Sequence, residues 1–182
     1  MTATVLDGQM PRRYEKSADE SRSRKAAEAR AAEYRNIGDF EYAASIYIRL
    51  SKMELDPDVQ KRYRSEVLEC AVGLEKLKSW TSAARTMVAL SELEQDPKIA
   101  REHMIKAAED YETGGILGYA AILWLKLCGS EEDEIKKSSF RDRAIKAFDR
   151  AGLRKDAEDI RKSVRPINPH KFDLFTHDDD IT

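Results

Sequence analysis

Four stretches of the chain align on a single turn. Residues 33–50 (EYRNIGDFEYAASIYIRL), 73–90 (GLEKLKSWTSAARTMVAL), 110–127 (DYETGGILGYAAILWLKL) and 147–164 (AFDRAGLRKDAEDIRKSV) superpose with Gly38, Lys78, Gly115 and Gly152 in one column. The intervals are 40, 37 and 37 residues (78 − 38, 115 − 78, 152 − 115). Four residues before the turn sits Tyr34, Leu74, Tyr111 or Phe148. Two after it, in three copies, sits Phe40, Trp80 or Leu117. Three further on comes Ala43, Ala83, Ala120 or Ala157, and four beyond that, in three copies, Tyr47, Met87 or Trp124. Repetition at this period constrains the fold more than any other feature. A single helix pair cannot bury its own face, so the copies must stack on one another.

Each column has a physical reason. Glycine ends a helix in the left-handed conformation, where a side chain costs energy. Alanine allows two antiparallel helices to approach closely, and the large residues fill the space between one pair and the next. Phe40, Ala43, Ala44, Tyr47, Leu50 and roughly Met53 recur at helical spacing and predict one apolar stripe. The fourth copy has Arg154 and Arg161 in place of bulky residues, as suits a terminal unit with a polar outer face. Lys78 replaces glycine in the second copy at a cost of about 1 kcal/mol.

Helix starts are marked as well. Ser17 with Glu20 reads as a capping box. Asp56-Pro57 and Asp96-Pro97 each read as a capping acid followed by a first-turn proline, and Ser130 reads as the cap of "SEEDE". The expected fold is all-α, a solenoid of about four antiparallel helical hairpins over residues 17–165. Extended tails are expected at 1–16 and 166–182.

The repeat resembles the tetratricopeptide superfamily. Tyr34, Gly38, Phe40, Ala43 and Tyr47 carry the resemblance best, and Tyr111, Gly115, Leu117, Ala120 and Trp124 carry it again. The period is longer than that family's roughly 34 residues, and the longer units are weakly similar to those of the soluble NSF-attachment proteins. The resemblance implies a right-handed superhelix whose first helices line a concave, partner-binding face. That face would carry Lys25, Glu28, Arg35 and Asn36 from the first unit. The second would give Leu68, Val72 and Glu75, and the third Glu102, Ile105 and Glu109. Members that clamp a terminal carboxylate use basic and amide side chains there. Here the matching places hold Glu28, Ala32, Glu69, Glu102 and Lys106, so such a clamp is not expected.

The remaining features narrow the function class. Eight glycines and five prolines among 182 residues, with 36% charged, fit a helical chain. A net charge of −2 gives the whole chain no bulk attraction to nucleic acid or an anionic membrane. Cys70 and Cys128 form no disulfide framework and read as small buried residues. No apolar run reaches the ~18 residues of a membrane span, so a cytoplasmic or organellar-matrix location is expected. No phosphate loop, nucleophile elbow or HExxH pattern occurs. His103 reads as a packed or solvated helix residue. His177 before three aspartates lies on a run of consecutive side chains that do not converge on an ion.

Two further regions are candidate contact sites. Residues 136–165 carry eleven Lys or Arg against five acids. Lys136, Lys137, Arg141, Arg143, Arg150, Arg154 and Lys155 form a basic patch suited to an acidic protein face, RNA or an anionic surface. The C-terminal segment holds Phe172, Leu174 and Phe175 among acids, which suits packing on its own domain or anchoring to a partner. The expected function is a non-catalytic, cofactor-free scaffold or adaptor that binds other protein subunits, with oligomeric state left open. The alternative is an RNA- or anionic-surface-associated module using the basic fourth unit.

Overall fold

The computed structural model describes residues 12–163, with side chains described from Ser21 onward. The described residues form eight helices and no strand: α1 (Arg12–Asn36), α2 (Phe40–Met53), α3 (Pro57–Lys76), α4 (Trp80–Leu93), α5 (Pro97–Thr113), α6 (Leu117–Gly129), α7 (Glu134–Arg150) and α8 (Arg154–Lys162). None of them is long and apolar enough to cross a membrane. Residues 1–11 and 164–182 lie outside the described part, and with them most of both expected tails.

The turn column behaves as its residue types require. Gly38, Gly115 and Gly152 have φ of 86°, 79° and 80°, and Lys78 holds the same left-handed conformation at 59°. In every copy the residue after the turn donates its N–H to the carbonyl four residues before it. The pairs are Asp39 to Tyr34, Ser79 to Leu74, Ile116 to Tyr111 and Leu153 to Phe148, each at 2.9 Å. This six-to-one bond satisfies a carbonyl that the helix end would otherwise leave unpaired.

Three helix starts share a second device. Asp56, Asp96 and Asp133 accept from the backbone N–H two residues on, at 2.9, 2.8 and 2.9 Å. The expected Ser130 cap is thereby corrected: Ser130 is the C-cap of α6, and Asp133 caps α7. Asp133 sits 37 residues after Asp96, so the cap follows the repeat. The first helix also differs from expectation. It begins at Arg12 and Ser17 lies inside it. Arg12 to Lys16 contain no glycine or proline and have good helix propensity, so the helix extends backward past the serine.

Packing runs along the chain. Each helix packs on its sequence neighbours, and α2 also meets α4. The alanine column is fully interior, with Ala43, Ala83, Ala120 and Ala157 all at 0% exposure. Aromatic pairs cross the junctions. Tyr47 of α2 faces Tyr63 of α3 at 6.3 Å between ring centroids, and Trp124 of α6 stacks on Phe140 of α7 at 5.7 Å. Phe40 lies against Gly73 of α3 so closely that a Cβ there would sit 2.7 Å from its ring. Met53, expected in the apolar stripe, is 73% exposed. It is the last residue of α2, where no following turn covers it.

Candidate partner-binding face

Two sets of charge pairs recur with the repeat. In the first, an arginine fourteen residues before the turn meets a glutamate sixteen residues after it. Arg24 pairs with Glu54 at 2.5 Å, Arg64 with Glu94 at 3.1 Å and Arg101 with Glu131 at 2.8 Å. The glutamate side chains are 10, 13 and 6% exposed, so each carboxylate is largely withdrawn from solvent beside its arginine. Arg64 Nε is close enough for an ion pair but is not aligned as a hydrogen bond. Glu54 also accepts from the N–H groups of Asp56 and Leu55, which hold its carboxyl below the usual range. Glu131 accepts likewise from Glu132 and Asp133. The arginine therefore clasps the first helix of a unit to the loop that launches the next.

The second set links one unit's first helix to the following one. The residue three before the turn reaches the residue nine before the next turn. Arg35 lies 3.7 Å from Glu69, Glu75 3.0 Å from Lys106, and Glu112 3.2 Å from Arg143. Arg35 also bonds Glu66, and Glu109 joins Arg143 at 3.1 Å. Glu28 accepts from Arg62 and from the Tyr63 hydroxyl. Arg143 lies 3.7 Å over the Trp124 ring, whose Nε1 donates to Glu112 at 2.8 Å. Glu28, Arg35, Glu75 and Glu109, which the resemblance placed on a partner-binding face, are thus paired with side chains of a neighbouring helix.

One of these links leaves polar atoms unsatisfied. Lys106 Nζ lies 3.0 Å from Glu75 and 2.8 Å from Asp110, which is itself 1% exposed. Asp110 Oδ2 and Glu75 Oε1 are buried without a hydrogen-bond partner. Burial pushes the Asp110 carboxyl up, and the Lys106 ammonium offsets this only in part. Burial lowers the Lys106 ammonium, yet bonds to Asp110 and Glu75 outweigh it and hold it above its ordinary value.

An aliphatic pair remains open on this face. Leu68 and Val72 of α3 lie one turn apart and are 37 and 39% exposed. Ile105 of α5 is partly buried against the core. Lys25, Asn36 and Glu102 are exposed and enter no ion pair among the described residues. Lys76, one turn beyond Val72, is likewise exposed and enters no ion pair among the described residues, so paired and unpaired charges share the face with Leu68 and Val72.

The cations of the expected basic patch differ in their surroundings. Arg141 turns inward and donates to the carbonyl of Ser163 at 2.7 Å and to that of Ile160, closing the end of α8. Arg143 is held by two glutamates and Lys137 by Glu134. Lys136, Arg150, Arg154 and Lys155 stay exposed.

The described residues contain no group of three His, Cys, Asp or Glu side chains placed to hold a metal ion. His103 is partly buried, and that burial lowers its pKa. Cys70 is buried and its thiol is pushed up to about 11 by burial, which makes it a poor nucleophile. Phe172, Leu174 and Phe175 lie outside the described residues.

No family model matches the chain, and no curated protein or solved structure does either.

Proposed function

We propose that the chain is a non-catalytic scaffold that docks another protein subunit on the first-helix face of a right-handed solenoid. The solenoid would comprise four antiparallel helical hairpins in the manner of the tetratricopeptide superfamily. The repeated turn, the repeated caps and the neighbour-to-neighbour packing support that architecture. One observation carries the binding role: Leu68 and Val72 remain exposed at i, i+4 on α3, while Glu28, Arg35, Glu75 and Glu109 around them are already paired. An exposed aliphatic pair on a face where several charges are already paired favours an apolar partner surface.

The test is retrieval of partners from native extract by the full chain and by Leu68→Glu with Val72→Glu, at about 50 and 200 mM salt. Both positions are partly exposed, so the double variant retains the fold, which circular dichroism verifies. The expected result is loss of the retrieved protein with the double variant and little dependence on salt. Retention by the double variant defeats the proposal. Steep salt dependence, with loss on Arg150→Glu and Arg154→Glu, transfers the role to the basic fourth unit and to an RNA or anionic-surface reading.

A further inference from the structure

The second turn departs from the other three in a way its own fold does not require. Lys78 sits at φ 59°, where the other units place glycine between 79° and 86°. A Cβ added to Gly38, Gly115 or Gly152 meets no atom within 4 Å, so this position of the turn has no packing to do. Lys78 is exposed and enters no ion pair among the described residues. A side chain held in the left-handed region without a contact inside the fold points to a use outside it.

Its neighbours are exposed with it. Lys76 is the last residue of α3, and Leu77 is the C-cap, 60% exposed. The matching positions of the other units hold Asn36-Ile37, Thr113-Gly114 and Arg150-Ala151. Only the second unit brackets a large aliphatic residue with two cations. One cation suits the negative end of a helix, and Lys76 supplies it, so Lys78 is surplus to that role. Lys76 also follows Val72 by four residues and Leu68 by eight, which places it on the same side of α3. The acids of α3 closest to it are engaged: Glu66 and Glu69 with Arg35, and Glu75 with Lys106. Asp39, after the preceding turn, accepts from the Tyr42 N–H. The two lysines therefore keep a positive field at the end of the aliphatic pair.

We propose that the α3–α4 turn binds the acidic part of a partner segment, whose carboxylates meet Lys76 and Lys78 while its aliphatic side chains lie along Leu68 and Val72. The aliphatic contacts rest on the scaffold reading above, and the acidic ones rest on the strained lysine. Leu77 between the lysines offers a base no stacking surface, which favours an acidic peptide over single-stranded nucleic acid. Two exposed ion pairs are together worth about tenfold in affinity, so salt weakens this contact only mildly.

Fluorescence anisotropy on the full chain tests it. The probes are a short peptide alternating leucine and aspartate, its leucine–asparagine counterpart and a short oligouridylate, at about 50 mM salt. The aspartate peptide is expected to bind about tenfold more tightly than the asparagine peptide. Lys78→Gly is expected to weaken it about threefold while raising the melting temperature, a pairing that a merely structural lysine would not give. Lys76→Gln with Lys78→Gly is expected to weaken it about tenfold. Leu68→Gln with Val72→Gln, which leaves the charge unchanged, separates the two readings. If that variant binds normally and the lysine variants do not, the acidic site stands and the aliphatic docking face fails. Unchanged binding by the double lysine variant overturns the proposal, as does an asparagine peptide bound as tightly as the aspartate one. Tighter binding of the oligouridylate than of the aspartate peptide also overturns it.

Discussion

The first three units and the fourth share a turn but not a fastening. Units one to three each carry the arginine–glutamate clasp, and each glutamate is nearly buried. In the fourth unit the arginine position is Ser138 and the glutamate position is Asn168. There Arg141 holds the end of α8 through carbonyls, and Arg161 of α8 pairs with Asp149 of α7. The clasp thus belongs to a junction: it fixes the loop from which the next unit starts.

The largest effect is expected where two units meet through an aromatic. Trp124→Ala removes a fully buried indole that stacks on Phe140, lies beneath Arg143 and bonds Glu112. A loss of about 3–5 kcal/mol is expected in denaturant unfolding. If the loss stays below about 1 kcal/mol, the third and fourth units are not coupled through this residue.

Next comes the clasp. Arg64→Ala leaves the nearly buried Glu94 without its cation and is expected to cost about 3 kcal/mol. Lys137→Ala in the fourth unit removes only an exposed pair with Glu134 and is expected to cost less than about 0.5 kcal/mol. Equal costs from urea melts of the two variants would erase the distinction between the units.

Smaller effects sharpen the comparison. Because burial raises the Asp110 carboxyl in the folded state, its contribution is fully present below its ordinary pKa and is lost as pH rises through the raised one. Asp110→Asn does not titrate. Its melting temperature relative to wild type is therefore expected to climb between pH 3.5 and pH 7, and a flat or falling difference rejects the assignment. Lys78→Gly relieves a left-handed side chain at 59° and is expected to add up to about 1 kcal/mol. The same turn already carries glycine in the other three units.

Turn and core were legible in the sequence because local geometry dictates residue type there. A left-handed position selects glycine, and a close helix approach selects alanine. The charge links were not legible, although they repeat just as faithfully. Arg64 and Glu94 lie thirty residues apart in a chain with 66 charged side chains (32 + 34), where a charged column blends into its surroundings. A usable signal did exist in Glu54-x-Asp56, Glu94-x-Asp96 and Glu131-x-Asp133, one acid fastening the loop and the next capping a helix. Ser130 concealed the third copy by offering a plausible cap three residues too early. Gly73 within α3 was a second unused signal, since it marks the place where Phe40 lies down.

The face residues teach a related lesson. The resemblance assigns Glu28, Arg35, Leu68, Val72, Glu75 and Glu109 to one face. It does not say which side chains are long enough to reach the next helix. The charged ones are, and they pair with a neighbouring helix, while the aliphatic pair on α3 remains open.

The central claim is this division of labour between paired charges and open aliphatics. The most direct measurement compares Arg64→Ala with Leu68→Glu plus Val72→Glu, recording melting temperature and retained partner at a temperature where both remain folded. The account predicts that Arg64→Ala lowers the melting temperature and keeps the partner, whereas the double variant keeps the melting temperature and loses the partner. A double variant that keeps its partner, or a partner lost with Arg64→Ala while the chain is still folded, contradicts it.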